Sequence, residues 1–129
     1  MKNIILYTSI VASLSMVSCK KEDKVVPQSS TPTSTINVEY RVTSESGNVE
    51  ITYQKPDDNG TFESETETVS RTYYAINFTC KKGNFLSVEA ANVLPARKTV
   101  TVQIFVNGVL FKEATSYDPS QKALAAGNY

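Results

Sequence analysis

The feature that most constrains the fold of this chain is an alternation of apolar and polar residues that begins at Ile36. Side chains of a β-strand point alternately to its two faces, so a period of two predicts a strand with one buried face. The clearest runs are Ile36–Thr43, Val49–Gln54, Thr72–Cys80, Phe85–Ala91 and Thr99–Val106. The sequence therefore predicts a domain built from half-buried strands.

Glycine, proline and asparagine mark where these strands should end. Ser44–Gly47 is predicted to join the first two runs into a hairpin, and Lys55–Gly60 contains proline and Asn-Gly signals that predict a reversal of the chain. Lys81–Asn84 separates two strands that we expect at the centre of the sheets. Asn107–Gly108 is the strongest signal, because a type I′ turn needs positive φ at both residues. We expect a hairpin here, with Val109–Ala114 as its second strand.

The spacing of strands and turns predicts the architecture. About seven strands fit into residues 36–129, and frequent turns between short strands are typical of a two-sheet antiparallel sandwich. We expect an all-β domain that is immunoglobulin-like in outline, with helix limited to one turn around Pro119–Ala125. The chain of 129 residues has room for one such domain.

Residues 1–18 have the layout of a secretory signal peptide, in which Lys2 is followed by an apolar stretch and small residues. The apolar stretch is shorter than the roughly 20 residues that a permanent membrane-spanning helix requires. Met16–Cys19 resembles the lipobox of bacterial lipoproteins, in which a small residue precedes a cysteine that is acylated and becomes the mature N-terminus. We expect cleavage before Cys19 and attachment of fatty acyl chains such as palmitate to this residue. The alternative is a plain signal peptide that contains a cysteine.

Residues 19–35 separate the predicted lipid anchor from the domain. Lys20–Lys24 holds a lysine followed by two acidic residues, which resembles the signal that exports some lipoproteins to the outer leaflet of the outer membrane. The alternative is that this charge run is only a solvated tether. Because the residue after Cys19 is not aspartate, the inner-membrane retention signal is missing, and we expect an outer-membrane location that faces the periplasm or the cell surface. Val25–Thr35 is rich in hydroxyl residues and contains two prolines, so it is predicted to be a flexible spacer.

The composition argues against nucleic-acid binding and catalysis. Thirteen basic residues balance thirteen acidic ones, so the sequence offers no basic surface for phosphate contacts. The chain has no histidine, which is the most frequent general base and metal ligand. We nominate no catalytic residue and expect no cofactor, since an Asp-Asp pair in a turn is more often a turn former than an acid/base couple. The available acids are Asp57, Asp58, Glu89 and Asp118.

Two other groups of residues have both a structural and a chemical interpretation. Glu63, Glu65 and Glu67 alternate with Ser and Thr, which is typical of an exposed edge strand whose like charges discourage pairing with another chain. The alternative is a divalent-cation site, but one strand face gives poor coordination geometry and we expect no metal. Cys80 lies on the apolar face of its strand and is interpreted as a small buried residue. The alternative is a reactive thiol beside Lys81 and Lys82.

Four segments of the predicted domain resemble the MmpS-like family of small exported β-sandwich proteins. The segments are Val38–Thr43, Val49–Tyr53, Leu86–Asn92 and Val102–Leu110. Members of that family are accessory subunits of MmpL transporters of the resistance-nodulation-division type, and they have no catalytic residues to carry over. The resemblance implies a non-catalytic accessory role, such as that of a subunit in a transport complex. It departs in its anchor, because the family usually has an N-terminal transmembrane helix where this chain has a lipobox.

Two functions follow from these observations. The first is a membrane-anchored accessory or interaction domain that docks onto a larger envelope protein through a sheet face or strand edge, with Tyr73, Phe105 and Phe111 as interface aromatics. The alternative for these rings is ordinary packing. The second function is surface glycan binding through loops such as Lys55–Gly60 or Asn92–Lys98, neither of which contains an aromatic residue.

Overall fold

The structure of the protein is a computed structural model that describes residues 34–93 and 97–129. The predicted signal peptide, Cys19 and the linker as far as residue 33 lie outside the described residues. The described part contains the strands β1 Thr35–Ser44, β2 Val49–Pro56, β3 Phe62–Val69, β4 Tyr73–Lys81, β5 Phe85–Asn92, β6 Val100–Val106, β7 Val109–Ser116 and β8 Ala123–Asn128. Within this part, no helix is long and apolar enough to cross a membrane.

The strands form two antiparallel sheets of four, which confirms the predicted two-sheet sandwich with eight strands in place of about seven. Sheet A has the order β4-β1-β6-β7, and sheet B has the order β3-β2-β5-β8. The edge strands are therefore β4 and β7 in sheet A and β3 and β8 in sheet B. Every pair of neighbours is antiparallel.

The topology contains an internal two-fold relation between β1–β4 and β5–β8. In the first half, β1 pairs with β4 and β2 with β3; in the second half, β5 pairs with β8 and β6 with β7. The halves join through β1 with β6 and β2 with β5. Replacing each strand by the one four places along exchanges the two sheets and reproduces all of these pairings. The sandwich therefore has two topologically equivalent sides, one between the edge strands β3 and β4 and one between the edge strands β7 and β8.

The hydrophobic core lies between the sheets and is formed by the inward residues of the alternating runs. On β1, Ile36, Val38, Tyr40 and Val42 are all buried, while the residues between them lie on the outer face. Burial of one large aliphatic side chain stabilises the fold by about 1.5–3 kcal/mol relative to leaving it exposed. The other buried hydrophobic residues are Val49, Ile51, Tyr53, Val69, Cys80, Leu86, Val88, Ala90, Val100, Val102, Ile104, Val106, Ala123 and Ala125.

Both Asn-Gly signals form hairpins as predicted. Lys55–Gly60 reverses the chain between β2 and β3, which pair along their whole length. At the β6–β7 turn, Asn107 and Gly108 have φ angles of 50° and 79°, the positive values that a type I′ turn requires. Local turn chemistry was sufficient to identify these two pairings.

Two other predicted arrangements are wrong. Ser44–Gly47 does not close a hairpin, because β1 lies in sheet A and β2 in sheet B. β4 was expected at the centre of a sheet but is an edge strand, whereas β5 is central as predicted. Alternation shows which face of a strand is buried, but it does not show which strand lies beside it.

The predicted helical turn around Pro119–Ala125 is also wrong, because Ala123–Asn128 forms β8. This strand pairs with β5 and buries Ala123 and Ala125. Alanine is a good helix former, but pairing with a central strand and burial of one face outweigh that local preference. Pro119 lies in the turn before the strand.

The two ends of the sandwich carry different parts of the chain. The linker end is where β1 begins at Thr35, and it also holds the β2–β3, β4–β5 and β6–β7 turns and the C-terminal Tyr129. The far end holds the β1–β2, β3–β4, β5–β6 and β7–β8 connections. The predicted linker therefore enters the domain at the end where both hairpin turns lie.

Candidate functional site

The open side between β3 and β4 is where the core is least covered. β7 packs closely against β8 along the opposite side, whereas the backbones of β3 and β4 lie farther apart and their contacts are between side chains. Four half-buried side chains, three of them aromatic, pack against the core here, namely Phe62, Tyr74, Ile76 and Phe78. Phe78 packs edge-to-face against Phe62 and Tyr40, with ring centroids 6.4 Å and 5.1 Å apart. We call this surface the open side.

The inward face of β3 explains why the open side does not close. Glu63, Glu65 and Glu67 occupy the same face of the strand as the buried Val69, opposite the inward residues of β2. Carboxylates cannot be buried without partners except at a large cost in free energy. Sheet A therefore cannot cover this part of β3 as it covers a strand with an apolar inner face.

Hydrogen bonds hold two of these carboxylates in place. The hydroxyl oxygen of Tyr53 lies 2.9 Å from Glu65 Oε2 and 3.0 Å from Glu67 Oε1. Tyr74, from the other sheet, donates to the same Glu67 oxygen at 2.7 Å. Lys55 Nζ lies 3.1 Å from Glu65 Oε1. A phenol has one hydrogen, so Tyr53 can donate to only one carboxylate at a time.

The charges of this network follow from its contacts. The hydroxyl of Tyr53 and the ammonium of Lys55 lower the pKa of Glu65, so this carboxyl is ionised at neutral pH. Burial, followed by the hydrogen bonds to both carboxylates, raises the pKa of Tyr53, so the phenol keeps its proton. Glu67 has no salt bridge among the described residues. The open side therefore presents net negative charge beside apolar rings.

A cavity of about 450 Å³ lies where the open side meets the linker end. The β2–β3 turn forms one wall, with Asn59, Gly60 and Phe62 close by, and the last residues of β4 form another. The lining residues are Thr35, Pro56, Asn59, Gly60, Phe62, Thr79, Cys80, Lys81 and Asn84. Its size lies within the range of small-ligand pockets.

Tyr40 lies where the strands β2 and β5 of sheet B separate towards the linker end. The ladder between β2 and β5 stops after Tyr53 and Val88, so the next backbone groups have no partner across this pair of strands. The Tyr40 hydroxyl donates to the Gln54 carbonyl at 2.9 Å and accepts the Ser87 N–H at 3.2 Å. The hydroxyl of a residue in sheet A thereby hydrogen-bonds to backbone groups of two strands of sheet B.

Cys80 is buried, as its position on the apolar face predicted. Burial raises the pKa of its thiol, which disfavours the nucleophilic thiolate. Both observations agree with the interpretation of Cys80 as a small buried residue at the edge of the cavity.

Of the four acids considered as candidates, the neighbours Asp57 and Asp58 share the β2–β3 turn, and the other two lie away from them. Asp57 accepts the backbone N–H groups of Asn59 and Thr61 at 2.9 Å and 2.7 Å, so it is a turn former, as its sequence context indicated. Glu89 pairs with Lys122 at 2.6 Å on the outer face of sheet B. The other two acids, Asp58 and Asp118, are exposed in different turns at opposite ends of the sandwich.

The three aromatic residues proposed for an interface have different surroundings. Tyr73 is 52% exposed at the start of β4. Phe105 is half-buried beneath the Arg41 guanidinium, which lies 4.0 Å from the ring centre. Phe111 packs against the core and against Tyr129. Tyr73 alone among them is therefore a freely presented ring.

The structure also bears on the cation-site alternative for the three glutamates and on the two loops considered for glycan binding. Among the described residues, no group of three or more acidic, cysteine or histidine side chains is placed to hold a metal ion. The loops Lys55–Gly60 and Asn92–Lys98 lie at opposite ends of the sandwich, because Val49 at the start of β2 pairs with Asn92. Residues 94–96 of the second loop lie outside the described residues. The two loops therefore cannot form one site.

Sequence reasoning identified β3 as an edge strand but missed that its glutamates face inwards. The signal was present, because Glu63, Glu65 and Glu67 have the same parity as Val69, an apolar residue that ends the strand. The partner Tyr74 could not be found in this way, since its contact with Glu67 depends on the stacking of the two sheets.

The chain matches no protein-family model, and none of the curated proteins shows significant similarity to it.

Proposed function

We propose that the protein is an exported lipoprotein, anchored through Cys19 in the outer membrane, whose domain is a non-catalytic interaction module of the cell envelope. The observation that carries the proposal is the open side, where half-buried apolar residues border inward-facing carboxylates. An incompletely covered core beside uncompensated charge is typical of a surface that a partner completes.

The partner segment that fits the open side is extended and basic. β3 and β4 are edge strands with backbone donors and acceptors that can pair with an added strand. Glu67 and the exposed Glu63 favour lysine or arginine in the partner segment. Ile76 and Phe78 favour an apolar partner residue between those basic residues. The resemblance to accessory subunits of MmpL transporters supports a transport complex as the setting of this partner.

Site-specific crosslinking in intact cells tests the docking surface. A photoreactive amino acid at Glu63, on the open side, is expected to give a discrete crosslinked envelope protein. The same amino acid at Glu50, which is exposed on the outer face of β2, is the matched control and should give none. Equal products from both positions, or no product from Glu63, would reject the open side as the docking surface.

Charge reversal tests the nature of the partner. Glu67→Lys is expected to weaken the Glu63 crosslink at least about fivefold, because it replaces attraction by repulsion of a basic segment. Glu50→Lys makes the same change in net charge away from the open side and should leave the product unchanged. Equal effects of the two substitutions would contradict recognition at Glu67.

The lipid anchor has its own test. Mass spectrometry of the mature protein is expected to show an N-terminal peptide that begins at Cys19 and carries fatty acyl chains. Cys19→Ala should abolish acylation and leave the precursor uncleaved at this site. An unmodified thiol at Cys19 in the mature protein would overturn the anchor and leave the docking surface to be judged by crosslinking.

Surface glycan binding is the second candidate, and the cavity is the observation that favours it. Asn59, Asn84 and Lys81 offer hydrogen-bonding groups for sugar hydroxyls, and Phe62 supplies an aromatic wall. A glycan array is expected to show binding by the unaltered protein and loss of that signal in Asn84→Ala. An array without any signal would remove this candidate.

A further inference from the structure

Large apolar side chains are exposed at the linker end of the sandwich. Four of the eight large hydrophobic residues exposed in the described part of the chain lie there: Phe85, Val109, Leu110 and Tyr129. Val109, in the first position after the β6–β7 turn, is the most exposed of the eight at 69%. Three others, Tyr73, Val93 and Tyr117, are exposed at the far end, so the entry of the linker distinguishes the two ends and the number of exposed apolar residues does not. A contiguous set of exposed apolar residues marks a contact surface.

The fold holds these residues in fixed positions. The N–H of Asn107 donates to the Asn37 carbonyl at 2.8 Å, which ties the β6–β7 turn to β1. The Tyr129 ring packs edge-to-face on Phe111, with centroids 5.1 Å apart. The Gly83 N–H donates to the Tyr129 carbonyl at 2.6 Å. The β6–β7 turn, the β4–β5 turn and the C-terminus therefore form one continuous rim.

The rim also carries positive charge. Lys81 and Lys82 are both exposed, and neither forms a salt bridge with another described residue. Lys82 Nζ lies 6.0 Å from the centre of the Tyr129 ring. The acidic residues of this end include Asp57 and Asp58 in the β2–β3 turn and Glu63 next to it. Aromatic and aliphatic side chains beside lysines are typical of surfaces that rest at a membrane interface.

The path of the chain indicates which end faces the membrane. β1 begins at Thr35, so everything N-terminal to the domain reaches it at the linker end. Lys20 to Ser34 is 15 residues (34 − 20 + 1), which spans at most about 50 Å when fully extended. A tether of this length keeps the domain near the bilayer, and the linker end is the end of the domain closest to the anchor along the chain.

We infer that the rim formed by Lys81, Lys82, Phe85, Val109, Leu110 and Tyr129 rests on the anionic surface of the bilayer. The inference rests on the proposed anchor at Cys19 and adds the orientation of the domain. The apolar side chains enter the headgroup region, and the two lysines contact anionic headgroups. The strands then stand across the membrane plane, the far end points away from it, and the open side faces sideways.

Depth-dependent fluorescence quenching tests this orientation. The chain has no tryptophan, so Val109→Trp introduces a single reporter in the rim. Tyr117→Trp places the matched reporter at the far end, at a side chain that is 60% exposed. The acylated full chain is incorporated into vesicles of phosphatidylethanolamine and phosphatidylglycerol that contain brominated lipid. Quenching of the Val109→Trp reporter is expected to be at least about threefold stronger.

Charge reversal then tests the anionic contact. In the Val109→Trp background, Lys81→Glu with Lys82→Glu is expected to reduce quenching at least about threefold, because each lysine contributes to binding an anionic surface. Flotation of the vesicles is read first. A chain that does not float overturns the anchor and this inference with it. A chain that floats with equal quenching of both reporters, or with quenching unaffected by the charge reversal, overturns this inference alone.

Discussion

Tyr40 shows how one side chain can determine the shape of a sandwich. It is fully buried on β1, yet its hydroxyl bonds two backbone groups of the opposite sheet, at Gln54 and Ser87. Burial raises its pKa, so the phenol remains a donor at physiological pH. The hydroxyl thereby permits β2 and β5 to separate while these two backbone groups keep a hydrogen-bond partner.

Tyr40→Phe is expected to lower the free energy of unfolding by about 1–3 kcal/mol, because it leaves a part-buried carbonyl and a part-buried N–H without a partner. Urea denaturation followed by circular dichroism measures this loss. Tyr73→Phe is the control, since its ring is largely exposed and its hydroxyl supports no buried group. Equal stability of the two variants would show that solvent replaces the Tyr40 hydroxyl.

Glu65 gives the domain part of its pH dependence. Tyr53 and Lys55 lower its pKa in the folded state. The unfolded chain therefore takes up the proton first as the pH falls, at the ordinary glutamate pKa of about 4.3. The stabilisation is complete above that value and is lost as the pH falls through the folded pKa.

Glu65→Gln is expected to flatten this acid part of the stability profile, measured by urea denaturation from about pH 7 to about pH 3. Tyr53→Phe removes the donor and should flatten the same part. The double variant should add little to either change. Independent, additive effects would show that the hydroxyl and the carboxylate act separately.

At the scale of elements, turns were more predictable than strand neighbours. Asn107–Gly108 specifies the β6–β7 hairpin through its own backbone preferences, so adjacent residues contain the whole signal. The edge position of β4 depends on the distant β6, which occupies the other side of β1. In the candidate site, the parity of Glu65 indicated its face, but the contact between Tyr74 and Glu67 arises only from the packing of two sheets.

Gly108→Ala tests the element for which local chemistry is decisive. Gly108 has φ of 79°, and an added Cβ would meet no atom within 4 Å, so the expected cost is one of backbone conformation alone. We expect a loss of about 1 kcal/mol in the free energy of unfolding. Asn107→Asp is the control, because aspartate also accepts positive φ and keeps an acceptor for the Asn37 N–H. Equal losses in the two variants would contradict a backbone origin.

At the scale of the whole molecule, the two-fold topology makes the difference between the β3/β4 side and the β7/β8 side informative. The strand pairs β3/β4 and β7/β8 are equivalent by connectivity, yet the backbones of the second pair lie much closer together. The inward faces account for this difference. β3 carries glutamates, whereas β8 carries Ala125 and Gly127, whose small size lets Phe111 approach. Side-chain size and charge, imposed on a symmetric frame, leave one side available for a partner.

Gly127→Val tests this explanation by adding side-chain volume between β7 and β8. A Cβ on Gly127 would lie 3.3 Å from Phe111 Cζ and 3.2 Å from Lys112 Cε, and the two further methyl groups would force β7 away from β8. We expect a loss of about 1–3 kcal/mol in the free energy of unfolding, the usual effect of overpacking. Ala126→Val is the matched control, because residue 126 lies on the opposite face of β8 and valine favours strands. Since the open side lies across the sandwich, the Glu63 crosslink should survive Gly127→Val. Loss of that crosslink in a folded variant would show that the two sides are coupled through the core.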